Sequence, residues 1–119
     1  MADAQTYQGG CHCRAVRYRV TLGLDRVVSC NCSICAAKGL LLAFAPAKDF
    51  TLLSGEDALN DYQFNKKVIH HLSCATCGVE SFARGKKPDG ADMVAINVRC
   101  LDGVDPSALT PMPYDGKKL

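Results

Sequence analysis

Seven of the eight cysteines in this 119-residue chain fall into three clusters: "GGCHC" at 9–13, "CNCSIC" at 30–35 and "SCATCG" at 73–78. Pairs this close, in the reducing compartment expected of this chain, are poor structural disulfides, whereas their spacing suits ligation of one metal ion by two thiolates. In Cys11-x-Cys13, alternate side chains of an extended segment share a face, so both sulfurs can grip an ion from the same side. In Cys74-x-x-Cys77 the sulfurs converge around a tight knuckle, and Gly78 supplies the backbone freedom such a turn requires. Each pair is half of a tetrahedral Cys₄ zinc site, and together they are expected to hold one zinc. That ion would close the chain between residues 13 and 74 into one long loop, which favours a structural role.

The middle cluster differs. Cys30-x-Cys32-x-x-Cys35 offers three sulfurs, and no nearby fourth cysteine completes the shell. Three protein ligands plus an open position is the pattern of a reactive zinc site, so Cys30, Cys32 and Cys35 are read as both metal ligands and catalytic residues. The fourth ligand is left open between water, a substrate and a residue from elsewhere. Two zinc ions per chain are therefore expected. Zinc with three thiolates carries a net negative charge and polarises a carbonyl weakly. It is better suited to binding a thiol and holding it as the thiolate. Lys38 and Arg99 are the candidate substrate-binding cations, placed to offset that charge or hold a carboxylate; Arg14 is a further cation.

Plainer readings stand beside these. The clustered cysteines also fit buried thiols or a redox Cys-x-x-Cys pair. Cys100 is in phase with Val94, Ile96 and Val98 and reads as a core cysteine, or else as an accessory ligand or reactive thiol near the second site. His12 should point away from its flanking cysteines, and of the neighbours His70 and His71 only one can face a given site. Glu80 reads as a surface carboxylate, with a proton carrier as the alternative.

The elements that must position these residues are short strands. "CRAVRYRV" alternates, with Val16, Tyr18 and Val20 on one side and Arg17 and Arg19 on the other, as a half-buried strand does. "LLLAFA", "DFTLLSG", "DYQFN", "KVIHHLSC", "VESFAR" and the long "DMVAINVRCL" read as further strands, and "SICAAKG" as the one helical turn. Residues 1–8 read as a tail or edge strand before a domain spanning 9–119. The Pro-rich "VDPSALTPMPYDGKKL" is expected to pack across the surface. The fold class is one all-β domain of short antiparallel strands with cysteine knuckles at strand ends.

Bulk properties exclude other classes. A net charge of +2 leaves no basic footprint for nucleic acid. No apolar run approaches the roughly 18 residues of a membrane span. "MADAQTYQGG" has neither a basic n-region nor an apolar h-region, so a reducing, cytoplasmic location is expected.

With these motifs in hand, the chain resembles a known family. "GGCHC" followed by Val16 and Tyr18, "CNCSIC", "SCATCGVESF" and "INVRCLDGVD" look like the glutathione-dependent formaldehyde-activating enzymes, a family that includes the centromere protein V domain. The likeness runs from about Gly9 to Gly116. It implies a β-tent (Mss4-like) fold with a structural zinc on Cys11, Cys13, Cys74 and Cys77, and a reactive zinc on Cys30, Cys32 and Cys35. It also implies a carbon–sulfur lyase of the S-(hydroxymethyl)glutathione synthase type, with glutathione or a similar thiol and a small aldehyde such as formaldehyde as partners. The alternatives are a non-enzymatic zinc-stabilised binding module, or a thiol redox or metal-handling protein.

Overall fold

A computed structural model describes residues 4–30, 33–63, 69–87 and 89–114. Among them the strands are β1 (Gln5–Gly10), β2 (Arg17–Leu22), β3 (Val28–Cys30), β4 (Leu41–Pro46), β5 (Phe50–Ser54), β6 (Leu59–Tyr62), β7 (His70–Cys74), β8 (Phe82–Lys86), β9 (Asp92–Asn97) and β10 (Met112–Tyr114). One short helix, α1 (Ser33–Lys38), follows β3. The strands form a three-stranded sheet, β1-β2-β5, and a seven-stranded sheet, β10-β3-β4-β9-β8-β7-β6. Every pairing is antiparallel except that of β10 with β3.

The alternation in β2 decides how the sheets meet. Tyr18, Val20 and Leu22 are buried while Arg19 is exposed, so one face of the small sheet is apolar. On the large sheet Phe82, Val94 and Ile96 are likewise buried. The rings of Tyr18, Phe50 and Phe82 pack with centroids 4.8–5.6 Å apart, joining both sheets in one core. The Tyr18 hydroxyl donates to the Ser81 carbonyl at 3.0 Å, which satisfies its polar end inside that core. Arg17 on β2 pairs with Asp102 across the chain.

The helix at "SICAAKG" spans Ser33–Lys38, and it ends for a visible reason. Gly39 takes the left-handed conformation, and the Leu40 N–H closes the last turn on the Cys35 carbonyl at 3.1 Å. The N-terminal stretch forms edge strand β1 from Gln5 onward. Of the expected hairpin between "DYQFN" and "KVIHHLSC", residues 64–68 lie outside the described residues.

Three expectations need correction. Residues 11–16 are not extended strand: β2 begins only at Arg17, and the chain before it is a turn. Arg14 adopts φ +70°, which breaks the extended run, and the Cys11 N–H reaches the Val16 carbonyl at 3.1 Å to close a knuckle. The strand at 92–101 stops at Asn97, whose side-chain oxygen accepts from the Arg99 N–H and turns Val98–Cys100 into a 3-10 turn. Cys100 therefore leaves the phase of Val94 and Ile96. Finally, the tail contributes strand β10, although it carries no strand pattern of its own.

Candidate metal centre and adjoining cavity

The two sheets meet again at the cysteines. Cys11 and Cys13 sit in the turn between β1 and β2, Cys74 ends β7, and Cys77 lies in the turn between β7 and β8. Their four sulfurs all lie within 4.8 Å of one another, so a single ion among them would staple the small sheet to the large one. Sγ of Cys13 stands 3.6 Å from that of Cys11 and 3.6 Å from that of Cys74. A tetrahedron of thiolates about 2.3 Å from zinc has edges of about 3.8 Å, so the donor set and its spacing fit that ion.

Local backbone geometry builds this quartet. Gly78 at φ +81° lets its N–H return to the Cys74 carbonyl at 2.9 Å, while the Cys74 N–H reaches the Val79 carbonyl at 3.0 Å. On the other knuckle, a Cβ on Gly10 would stand 2.0 Å from the Val16 carbonyl oxygen, so only glycine allows that turn to close. The knuckles also aim N–H groups at sulfur. Val16 donates to Cys11 Sγ at 3.3 Å, and Thr76 and Cys77 donate to Cys74 Sγ at 3.3 and 3.4 Å.

These donors favour thiolates. The Cys77 and Thr76 N–H groups lower the Cys74 thiol, and those of Val79 and Cys13 lower Cys77 to about 6. Cys13 moves the other way, to about 11: the Ala15 N–H favours its thiolate, but the neighbouring sulfurs of Cys74, Cys11 and Cys77 outweigh it. Four thiolates at this separation repel one another unless a cation sits among them, which is the electrostatic case for a metal. His12, between two of the cysteines, is exposed.

The second cluster opens onto a cavity of about 630 Å³. Cys30, at the end of β3, and Cys35, on α1, both line it. Arg99 lines it from the 3-10 turn and donates through Nε to the Gly39 carbonyl at 3.2 Å. Tyr114 of β10 stands opposite Cys30 in the parallel register and forms another wall. Cys32 lies outside the described residues. Thus Cys30, Cys35 and Arg99 are brought to one place. Lys38 is not directed there: its ammonium lies 2.7 Å from Glu80 Oε1. Tyr114 had no signal in the sequence, because its place depends on a strand pairing. Burial, with the neighbouring charges of Cys11 and Cys77 adding to it, pushes the Cys100 thiol up to about 11.

Glu80 is buried, 4% exposed, and not the surface carboxylate its polarity suggests. Its second oxygen lies 3.1 Å from His71 Nδ1. Burial opposes its ionisation, but the hydrogen bonds from His71 and Lys38 outweigh that and hold its pKa below the ordinary carboxylate value. His70, the neighbour of His71, instead meets Asp61 at 2.8 Å on the exposed side.

A mostly β scaffold whose two sheets bring together a cysteine quartet able to hold a metal ion, with a separate cavity lined by Cys30 and Cys35, defines the class of small domain to which this chain belongs. The chain belongs to the family of the glutathione-dependent formaldehyde-activating enzyme, whose profile matches residues 6–113. It is also similar to the crystal structure of a Rhodobacter sphaeroides protein, with TM-score 0.81 and 32% identity over 90% of this chain and 98% of that one. Among the described residues, no helix is long and apolar enough to cross a membrane.

Proposed function

We propose that this protein is a zinc-dependent carbon–sulfur lyase that adds a glutathione-like thiol to a small aldehyde such as formaldehyde, or releases it. The observation that carries this reading is the cavity walled by Cys30, Cys35 and Arg99. Two zinc ions serve the chain: one on the Cys11, Cys13, Cys74 and Cys77 quartet as a staple, one on Cys30, Cys32 and Cys35. The second supplies, when bound, a lowered pKa for a thiol held beside it.

The chain's own residues do the rest. Arg99, fixed through Nε to Gly39, presents a cation on the cavity wall that suits a carboxylate of a glutathione-like molecule. Tyr114 and the backbone around Gly39 confine the two reactants, so that proximity supplies much of the rate. In the addition, the thiolate sulfur attacks the aldehyde carbon and a C–S bond forms. The carbonyl π pair moves to oxygen, and the proton lost by the thiol ends on the new hydroxyl. The reverse reaction splits the same bond. Lys38, engaged by Glu80, is assigned no direct contact with substrate. The compartment proposed is the cytoplasm, where thiols stay reduced.

Cobalt substitution tests this directly, because sulfur ligation changes the metal's absorption. Glutathione should shift the spectrum of the cobalt form, with a shift that strengthens as pH rises through ionisation of the thiol. Cys32→Ser should abolish the shift. Arg99→Met should raise the half-saturating glutathione concentration about 10- to 100-fold, the loss expected for one charge-assisted contact. No shift with any small thiol, together with a fourth protein ligand on that metal, would overturn the lyase assignment.

A further inference from the structure

One buried carboxylate joins the elements that carry the two cysteine clusters. Glu80 Oε1 accepts from Lys38 Nζ at 2.7 Å, and Oε2 lies 3.1 Å from His71 Nδ1. Lys38 is the last residue of α1, which carries Cys35; His71 belongs to β7, which ends in Cys74. The backbone of the same residue continues the link. The Glu80 carbonyl accepts from Asn97 Nδ2 at 3.0 Å, and Asn97 Oδ1 accepts from the Arg99 N–H at 3.2 Å. Arg99 Nε returns to the Gly39 carbonyl at 3.2 Å, where α1 ends. Glu80 thus touches the helix that presents Cys35 and, through Asn97, is linked to the turn that presents Arg99.

The helix needs such a hold. It has six residues, too few to be stable alone, and of them only Cys35 is buried. The Glu80 side chain is only 2% exposed. Replacing a buried ion pair by apolar groups of the same volume is often neutral or stabilising, so stability alone is a weak reason for a carboxylate here. Geometry is the stronger one: two directed hydrogen bonds, one to each carboxylate oxygen, fix an angle and a distance that an apolar contact leaves loose.

We propose that Glu80 is the positioning residue of the second cluster: through Lys38 it ties α1 to β7 and to the Cys74–Cys77 knuckle, and so sets where Cys35 and Arg99 stand in the cavity. This rests on the reading of Cys30, Cys32 and Cys35 as a metal-and-thiol site. Outer partners of metal ligands commonly change affinity about 10- to 100-fold when removed. Glu80 acts one residue further out, so the low end of that range is expected.

The test compares the unaltered chain with Glu80→Gln, Lys38→Met and the double variant, each with its quartet loaded with cobalt. Two readouts are taken: labelling of Cys35 by iodoacetamide before a second ion is added, located by peptide mass spectrometry, and cobalt affinity of the second site. Each single variant should label Cys35 several-fold faster and bind the second ion about tenfold more weakly. The double variant should do less than the sum of the two singles, because both act on the Lys38–Glu80 tie. The quartet's charge-transfer bands should not move. Lys38 is 34% exposed on its side chain, so Lys38→Met carries the test if Glu80→Gln does not fold. Labelling at the unaltered rate in variants that keep the quartet's ion would overturn the proposal, even if they melt earlier; so would additive effects in the double variant. If the unaltered chain binds a single ion, the metal-and-thiol assignment fails, and the Cys35 labelling rate alone decides the role of Glu80.

Discussion

Removing the staple between the sheets should cost far more than removing the local cluster, and the difference can be worked from the chain. Cys13 and Cys74 are 61 residues apart in sequence. Treating the ion as a cross-link, closing a loop of that length restricts the unfolded chain by roughly 4 kcal/mol. The same treatment of Cys30 and Cys35, five residues apart, gives roughly 2 kcal/mol. A domain of this size has about 5–15 kcal/mol of stability in total, and each kcal/mol moves the melting midpoint by roughly 4 °C. The variant Cys74→Ser/Cys77→Ser should therefore melt about 15 °C lower, or not fold at all, and Cys30→Ser/Cys35→Ser about 8 °C lower. Far-UV circular dichroism in reduced, zinc-supplied buffer measures both. A strong chelator should bring the unaltered protein down past the first variant, and should lower that variant by only the roughly 8 °C worked for the second cluster. Equal falls in the two variants would refute the reasoning, because a local cluster would then constrain as much chain as the staple.

Three further outcomes are expected. Gly10→Ala places a methyl 2.0 Å from the Val16 carbonyl oxygen, so the knuckle must open; urea unfolding should show a loss of more than about 2 kcal/mol. Tyr18→Phe removes the buried hydroxyl that donates to the Ser81 carbonyl at 3.0 Å, and should cost about 1–3 kcal/mol in the same assay. Asp102 is held below the ordinary carboxylate value by its hydrogen bonds from Arg17. A folded pKa below the unfolded one gives stability that is complete above the ordinary carboxylate range and is lost as pH falls through the lowered value. With the Asp102 side chain 49% exposed, solvent screening keeps that contribution under about 1 kcal/mol. Melting of the unaltered chain and of Asp102→Asn should therefore differ slightly near neutrality and converge in acid.

Local pattern carried much of this fold. Tyr18, Val20 and Leu22 announce the inward face of β2 by alternation, and Gly78 announces the knuckle after Cys77. Spacing alone paired residues 11 and 13 with 74 and 77, since two half-sites of complementary type have few other ways to complete a shell. What stayed hidden depends on contacts made late in the fold. Arg14 carries no mark of its left-handed backbone, so the turn at 11–16 reads as strand. Glu80 is polar, and nothing near it in sequence shows that Lys38, 42 residues away, will meet it inside the protein. β3 and β10 have three residues each, too few for any periodicity to register. The placing of Tyr114 beside Cys30 follows from that pairing and from nothing local.

The parallel union of β10 with β3 also sets an order on the molecule as it is made. Synthesis runs from the N-terminus, so all four cysteines of the quartet have been added once residue 77 is in place. The cavity waits for Pro113 and Tyr114, among the last of the described residues. A chain interrupted before Met112 would carry all four cysteines of the quartet and lack one side of its cavity, so the two features are completed at different points of synthesis.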